Sequence, residues 1–266
     1  MPAIIRRSYI DGPFGQIHVR TAQPLGAAQY PPLLCFHQSP QSSRVFTEVL
    51  KDLGTDRLVC APDTPGYGES DLPPEPPDIA DYAKAMTAVM DHLGAGPFDI
   101  LGYHTGALTA TDLAIANPQR IGRMVLIGLA VLQQAEIDGF FKTPWPVPMT
   151  MDDSFVRGEW NRSVQWATPG TPLAITARGF VDKLKAGDKA FWGARAAMRY
   201  PFAEKLPQVT QPILAIGPKD DLWDISTRAA PLIKNGTFER WPDHGFGIFD
   251  LAPMRINAKI RTHLDV

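Results

Sequence analysis

Five short apolar runs recur along the chain with little polar alternation: residues 33–37 (Leu-Leu-Cys-Phe-His), 57–61 (Arg-Leu-Val-Cys-Ala), 98–102 (Phe-Asp-Ile-Leu-Gly), 122–128 (Gly-Arg-Met-Val-Leu-Ile-Gly) and 212–217 (Pro-Ile-Leu-Ala-Ile-Gly). Each closes in turn residues. Runs of this kind are strands buried on both faces of a parallel sheet. Helical periodicity lies between them. From Asp81 to Leu93, the residues Tyr82, Met86, Val89, Met90 and Leu93 fall on one stripe, with Asp78 or Asp81 placed to cap it. Leu108 to Ala116 is small and apolar almost all round, as in a helix packed tightly on a sheet. The N-terminal stretch differs: Tyr9-Ile10, the turn Asp11-Gly12-Pro13-Phe14-Gly15, then Gln16 to Arg20 predict a hairpin at a sheet edge. Strands alternating with helices give an α/β fold with a right-handed, mostly parallel sheet.

One segment breaks the rhythm. From Val131 to Lys205 no strand is evident, and Trp145, Trp160, Trp166 and Trp192 fall there, with Phe140, Phe141, Phe155 and the prolines 144, 146 and 148. An insertion this long is expected to be a folded lid rather than a loop. The core is then residues 1–130 and 206–266, and 131–205 a helical cap. Its aromatics form the cap's own core or line an apolar pocket beneath it, Trp145 and Trp166 being the pocket candidates.

Composition narrows the class. A net charge of −2 with 20% charged residues leaves no electrostatic footprint for nucleic acid. No apolar run approaches the roughly 18 residues of a membrane helix. The opening residues carry two arginines with no apolar stretch behind them, so no secretory leader is read and a cytoplasmic location is expected. Cys35 and Cys60, both in apolar runs, are expected to be buried free thiols. The 26 prolines, close to one residue in ten, imply many short, stiff connections. A homodimer through the cap or a sheet edge is compatible with all this, but no residue argues for one.

The chemistry concentrates at Gly102-Tyr103-His104-Thr105-Gly106, after a strand and before a helix. Small-x-x-x-small at that junction marks a sharp turn that lifts its middle side chain over the sheet edge, next to the free N–H groups of a helix N-terminus. With His37-Gln38-Ser39-Pro40 after the first central strand, Asp63-Thr64-Pro65-Gly66-Tyr67-Gly68-Glu69-Ser70 after the next, Gly217-Pro218-Lys219-Asp220 and Asp243-His244-Gly245-Phe246, the chain resembles the α/β-hydrolase family over nearly its whole length. The resemblance implies a mostly parallel eight-stranded sheet with a helical cap. It also implies Asp220 as triad acid (Asp221 being the alternative), His244 as triad histidine, and the backbone N–H groups of Ser39 and Thr105 as oxyanion donors. His37, Gln38 and Tyr103 would border the substrate, His37 with a structural hydrogen bond of its own.

Two departures stand out. His104 occupies the position where the family carries Ser, Cys or Asp, and Gln38 stands where a glycine is usual. Neither an acyl-serine nor an alkyl-aspartate can form at such an elbow. Imidazole can attack a carbonyl, accept a proton or orient a substrate, and a silent histidine kept for its tolerance of positive φ also stays open. If His244 lies close, the two imidazoles titrate as a coupled pair, with Asp220 favouring charge on His244 and leaving His104 neutral. The expected activity is cofactor-free hydrolysis of a small apolar or aromatic carbonyl compound: an ester, a lactone or a carbon–carbon bond. His104 would be nucleophile or base, and His244 acid/base. The alternatives are a lyase, a cofactor-independent oxygenase, or a ligand-binding protein without chemistry. No ligand-type histidine spacing predicts a metal, and His18, His92 and His263 are expected at the surface or as caps.

Overall fold

The computed structural model describes residues 3–94, 96–142 and 149–266. The chain opens with the predicted hairpin, β1 (Arg6–Gly12) and β2 (Gly15–Ala22). It continues through β3 (Leu33–Phe36), α1 (Thr47–Leu53), β4 (Val59–Pro62), α2 (Ile79–Leu93), β5 (Phe98–Tyr103), α3 (Thr105–Ala116) and β6 (Ile121–Ile127). Among the described residues, five helices follow without an intervening strand: α4 (Gln134–Lys142), α5 (Ser154–Gln165), α6 (Leu173–Ala186), α7 (Trp192–Arg199) and α8 (Phe202–Lys205). The end of the chain is β7 (Ile213–Pro218), β8 (Gly236–Trp241), α9 (Ile248–Leu251) and α10 (Pro253–Leu264).

The strands form one eight-stranded sheet in the order β1-β2-β4-β3-β5-β6-β7-β8. β1 and β2 pair antiparallel, as do β2 and β4; every other pair is parallel. Strands β3, β4, β5 and β7 are buried at every position, which is why their sequences carry so little alternation. Residues of α2 and α3 pack in one core, and residues of α1, α9 and α10 in the other. Cys60 belongs to the first and Cys35 to the second; both thiols are free, and burial pushes Cys60 up to about 12. Asp78 and Asp81 both cap α2: the Asp78 carboxylate accepts from the Asp81 N–H at 2.9 Å, and Asp81 returns the bond at 3.1 Å.

The strand order, not the strand direction, reverses between β3 and β5, the switch point whose crevice is where open α/β sheets bind ligands. Above it, α5 and α6 pack on each other through Trp160 and Phe180, 5.2 Å apart. The inserted helices are tied to the core at several points. The Ser42 hydroxyl donates to buried Asp182 at 2.7 Å, Arg178 pairs bidentately with Asp250, and Gly193 N–H donates to the Tyr67 hydroxyl at 2.6 Å. Among the described residues, no helix is long and apolar enough to cross a membrane.

Candidate active site

The elbow follows from local sterics. β5 pairs with β3 so that Gly102 lies beside Phe36. A Cβ on Gly106 would fall 2.0 Å from the Phe36 carbonyl oxygen, and one on Gly102 would fall 2.7 Å from Ala107 Cα. Only glycines let strand and helix approach this closely. Between them, His104 takes φ 50 and ψ −117 and is the one positive-φ non-glycine residue among those described. Such a conformation costs about 1–3 kcal/mol and persists only where its surroundings enforce it. Here its N–H is held by the Ile127 carbonyl at 2.8 Å.

The His104 ring reaches the loop after β7 directly. Its Nε2 bonds Asp220 Oδ2 at 2.8 Å, and the Asp220 carboxylate has no solvent exposure. The other oxygen, Oδ1, accepts the Leu222 N–H at 2.9 Å. Asp220 therefore has one oxygen fixed by a main-chain donor and the other left for imidazole. Nε2–H is the donor to a carboxylate, so the lone pair is on Nδ1. Nδ1 lies 4.0 Å from Oδ1 of Asp221, which is half-exposed. Burial favours neutral imidazole, but the charge of Asp220, its hydrogen bond and the charge of Asp221 outweigh it, so His104 titrates above its ordinary range. Burial, together with the Asp220 charge, pushes Asp221 up against the pull of His104.

Room for the ring comes from Gly128, at φ +66 just after β6. A Cβ there would meet His104 Cδ2 at 2.4 Å and Nε2 at 2.6 Å. Tyr103 stands edge-on to the ring at 4.5 Å, and Phe246 lies at 5.7 Å on a tilted plane. His104 and Asp221 border a cavity of about 450 Å³ that is also lined by Gln38, Ser39, Trp166 and Phe246. The lining also carries charge: Glu159, almost fully buried, pairs with Arg162 and with Lys183 at 3.1 Å. Gln38 Oε1 and the Tyr103 hydroxyl are among the buried polar atoms of cavity-lining residues that have no hydrogen-bond partner among the described residues.

The loop expected to carry the oxyanion donors is internally bonded. Ser39 N–H donates to Thr105 Oγ1 at 2.7 Å, and the Thr105 hydroxyl donates to Ser39 Oγ at 3.2 Å. His37 accepts the Thr64 N–H on Nε2 at 2.9 Å and donates from Nδ1 to the Gln38 carbonyl at 2.9 Å. Burial lowers its pKa, consistent with a neutral ring. For a metal, His104, Asp220 and Asp221 form a described group whose donor atoms lie within 4.8 Å of one another, although Asp220 is already engaged by Nε2.

A family model described as alpha/beta hydrolase fold matches residues 31–163, half of the chain. The chain belongs to that family. Among curated relatives, a poly(3-hydroxyalkanoate) depolymerase of Ectopseudomonas oleovorans is 30% identical over 112 residues, covering 42% of this chain and 40% of that protein. A 2-hydroxy-6-oxononadienedioate/2-hydroxy-6-oxononatrienedioate hydrolase of a Pseudomonas species is 26% identical over 188 residues, 60% of this chain and 59% of that one. The chain thus spans less than two thirds of the length of either. Among solved structures, the enol-lactonase from Burkholderia xenovorans LB400 superposes with a TM-score of 0.81 at 16% identity, covering 97% of this chain and all of that one. At that identity the likeness speaks for the fold.

Within this α/β-hydrolase fold, the site departs from the expected triad. Asp220 bonds His104, not His244. The His244 ring packs on Trp241 at 5.6 Å, and its Nδ1 accepts from Arg255 at 3.2 Å; His244 is not among the described residues that line the cavity. Burial and the Arg255 charge lower its pKa, against Asp243. The expected pairing of a charged His244 with a neutral His104 is therefore inverted, because the buried carboxylate adjoins the other ring. The Ser39 N–H is taken up by Thr105, and both nitrogens of His37 are spent inside the protein rather than on a substrate. Trp166 lines the cavity, edge-on to Phe246 at 6.4 Å; Trp145 falls outside the described residues. His18 is buried and bonds Asp63 at 2.8 Å, His263 is partly buried on the Pro212 carbonyl, and only His92 is exposed as expected. Gly128, whose one signal in the sequence is a glycine ending an apolar strand, and Glu159, four residues after Phe155 on the same helix face, join the site only in the fold.

Proposed function

We propose that this chain is a cofactor-free hydrolase of a small, mostly apolar or aromatic carbonyl compound, an ester or lactone before a carbon–carbon bond. His104 acts through Nδ1 as general base, and Asp220 holds its tautomer. One observation carries this reading: Nε2 is committed to a buried carboxylate that is itself held by Leu222 N–H, so Nδ1 is the basic atom at the cavity. A His–Asp pair in this arrangement is the base half of a hydrolytic triad, moved to the elbow. The hydrolase and lactonase names of the relatives above support the same class. His244 is assigned no part in proton transfer. The test is turnover of a panel of 4-nitrophenyl esters and aryl lactones by the native chain, His104→Ala and His244→Ala. The first substitution abolishes turnover and the second leaves it within threefold; full activity in His104→Ala refutes the reading.

A second reading rests on Thr105. With the Ser39 N–H given to the Thr105 hydroxyl, one oxyanion donor is already satisfied. A base that removes a substrate proton without building a tetrahedral oxyanion, as in a lyase or a cofactor-independent oxygenase, does not need that donor. Thr105→Ala separates the two. Freeing the N–H raises ester turnover if hydrolysis is the reaction and leaves proton abstraction unchanged.

A further inference from the structure

We infer that Asp221 is the second holder of the attacking water: His104 Nδ1 and Asp221 Oδ1 together accept both hydrogens of a single water molecule and aim its lone pairs into the cavity. The inference rests on the general-base reading above.

The geometry is specific. The two atoms are 4.0 Å apart, too far for a direct hydrogen bond. One oxygen placed about 2.8 Å from each subtends an angle of roughly 90° between them, close to the angle between the two O–H bonds of water. Both atoms are acceptors. Nδ1 has its lone pair because Nε2–H is donated to Asp220, and Asp221 presents a carboxylate oxygen. A donor to both must carry two hydrogens on one atom, which selects water over an alcohol or a substrate enol. A polar site with two well-placed partners suffices to order a water. Both holders line the same cavity as Gln38, Ser39 and Phe246, so a carbonyl entering from the cap side meets the water's free lone pairs.

The chemical step balances. The water oxygen bonds to the carbonyl carbon as one of its protons passes to Nδ1, and the second hydrogen stays on Asp221 as a hydrogen bond. Collapse of the adduct breaks the bond to the leaving oxygen, which takes the proton back from Nδ1–H. The acid and alcohol leave together, and His104 returns to its starting state with no acyl-imidazole on the way. Asp221 touches the reacting water; Asp220 acts only through His104.

The test uses the full chain with 4-nitrophenyl acetate and compares Asp221→Ala, Asp221→Asn and Asp221→Glu with His104→Ala. Products are divided between acetate and acetohydroxamate in the presence of hydroxylamine. If Asp221 holds the water, Asp221→Ala lowers kcat about 100-fold with KM within twofold, and hydroxylamine captures a several-fold larger share of product. Asp221→Asn, which keeps an acceptor oxygen, recovers at least tenfold of the lost kcat. Native kcat and partition in Asp221→Ala, with His104→Ala inactive, overturn the water role and leave the base reading standing. A loss that appears in KM alone also overturns it. Turnover that is abolished by EDTA and restored by a divalent ion assigns the same atoms to a cation and overturns it. Acetyl-enzyme trapped on His104 makes the residue a nucleophile and overturns it. Native turnover in His104→Ala, or no turnover of any carbonyl substrate by the native chain, removes the base reading and this inference together. Should Asp221→Ala fail to fold, the Asn and Glu variants carry the same readouts.

Discussion

Replacing Asp220 by Asn tests the core of the site with almost no change of shape. Oδ1 of Asp220 accepts the Leu222 N–H at 2.9 Å, and that donor can be satisfied only by the carbonyl oxygen of an amide. The NH₂ end of Asn at 220 is therefore forced toward His104 Nε2, where Asp220 Oδ2 now accepts at 2.8 Å. Two donors cannot face each other, so Nε2 gives up its proton and Nδ1 takes one. The ring stays in place with its basic atom inverted. The same substitution behind a triad histidine lowers kcat by about 10⁴ through the wrong tautomer, which is about 5.4 kcal/mol at 1.36 kcal/mol per decade. A fall of that order is expected here, with KM little changed because no cavity contact is lost. The assay is kcat and KM on the best ester of the panel, with ¹⁵N chemical shifts of the His104 ring reporting the tautomer. If the shifts show Nδ1–H and kcat stays within tenfold of native, Nδ1 is not the base and the mechanism fails.

Four further outcomes are expected. His104 titrates above its ordinary range under the influence of Asp220 and Asp221, and a base must be neutral, so kcat/KM rises with pH through a value above 6.5. The raised folded-state value has the opposite effect on stability: its contribution is full below the unfolded value near 6.5 and is lost as pH rises through the folded value. A pH series of Tm for the native chain against His104→Ala checks this, and a difference that grows with pH refutes it. Asp99 is pushed up to about 6 by burial, with one oxygen on the Arg123 N–H and the other without a hydrogen-bond partner among the described residues. Asp99→Asn is therefore expected to stabilise by up to about 3 kcal/mol at pH 7.5, from 1.36 kcal/mol per pKa unit, and to be neutral near pH 4; equal urea midpoint shifts at both values count against it. His104→Ser does not restore a serine hydrolase, because the His244 ring is held by Arg255 and Trp241 away from the elbow. Labelling of that variant by a serine-directed phosphonate at an ordinary serine-hydrolase rate contradicts this.

The central strands and the elbow were legible because local requirements and the global fold coincide there. Continuous apolar runs mean burial on both faces, and the glycines at 102 and 106 are demanded by backbone contacts under 3 Å. β8 was not legible: Gly-Thr-Phe-Glu-Arg-Trp lies at the sheet edge with only Trp241 buried, so its polarity hid it. The triad pairing failed for a different reason. The direction of the His244 ring is set by Arg255, eleven residues away on α10, and no motif around 243–246 encodes that contact. The short reach of His104 to Asp220 likewise depends on Gly128, just past the end of another strand. His18 looked solitary because its partner, Asp63, lies 45 residues on, across the β2–β4 pairing.

That glycine has a consequence for how such a site can arise. With any side chain at 128, the volume under the elbow is filled, and an imidazole at 104 cannot lower itself onto Asp220. The two positions are therefore coupled: histidine at 104 can use Asp220 only with glycine at 128. Read backwards, the same dependence means that a smaller residue at 104 releases the constraint. A Gly128→Ala change that is ruinous beside His104 becomes little more than a backbone penalty beside serine, so the effect of one substitution is decided by the identity of the other.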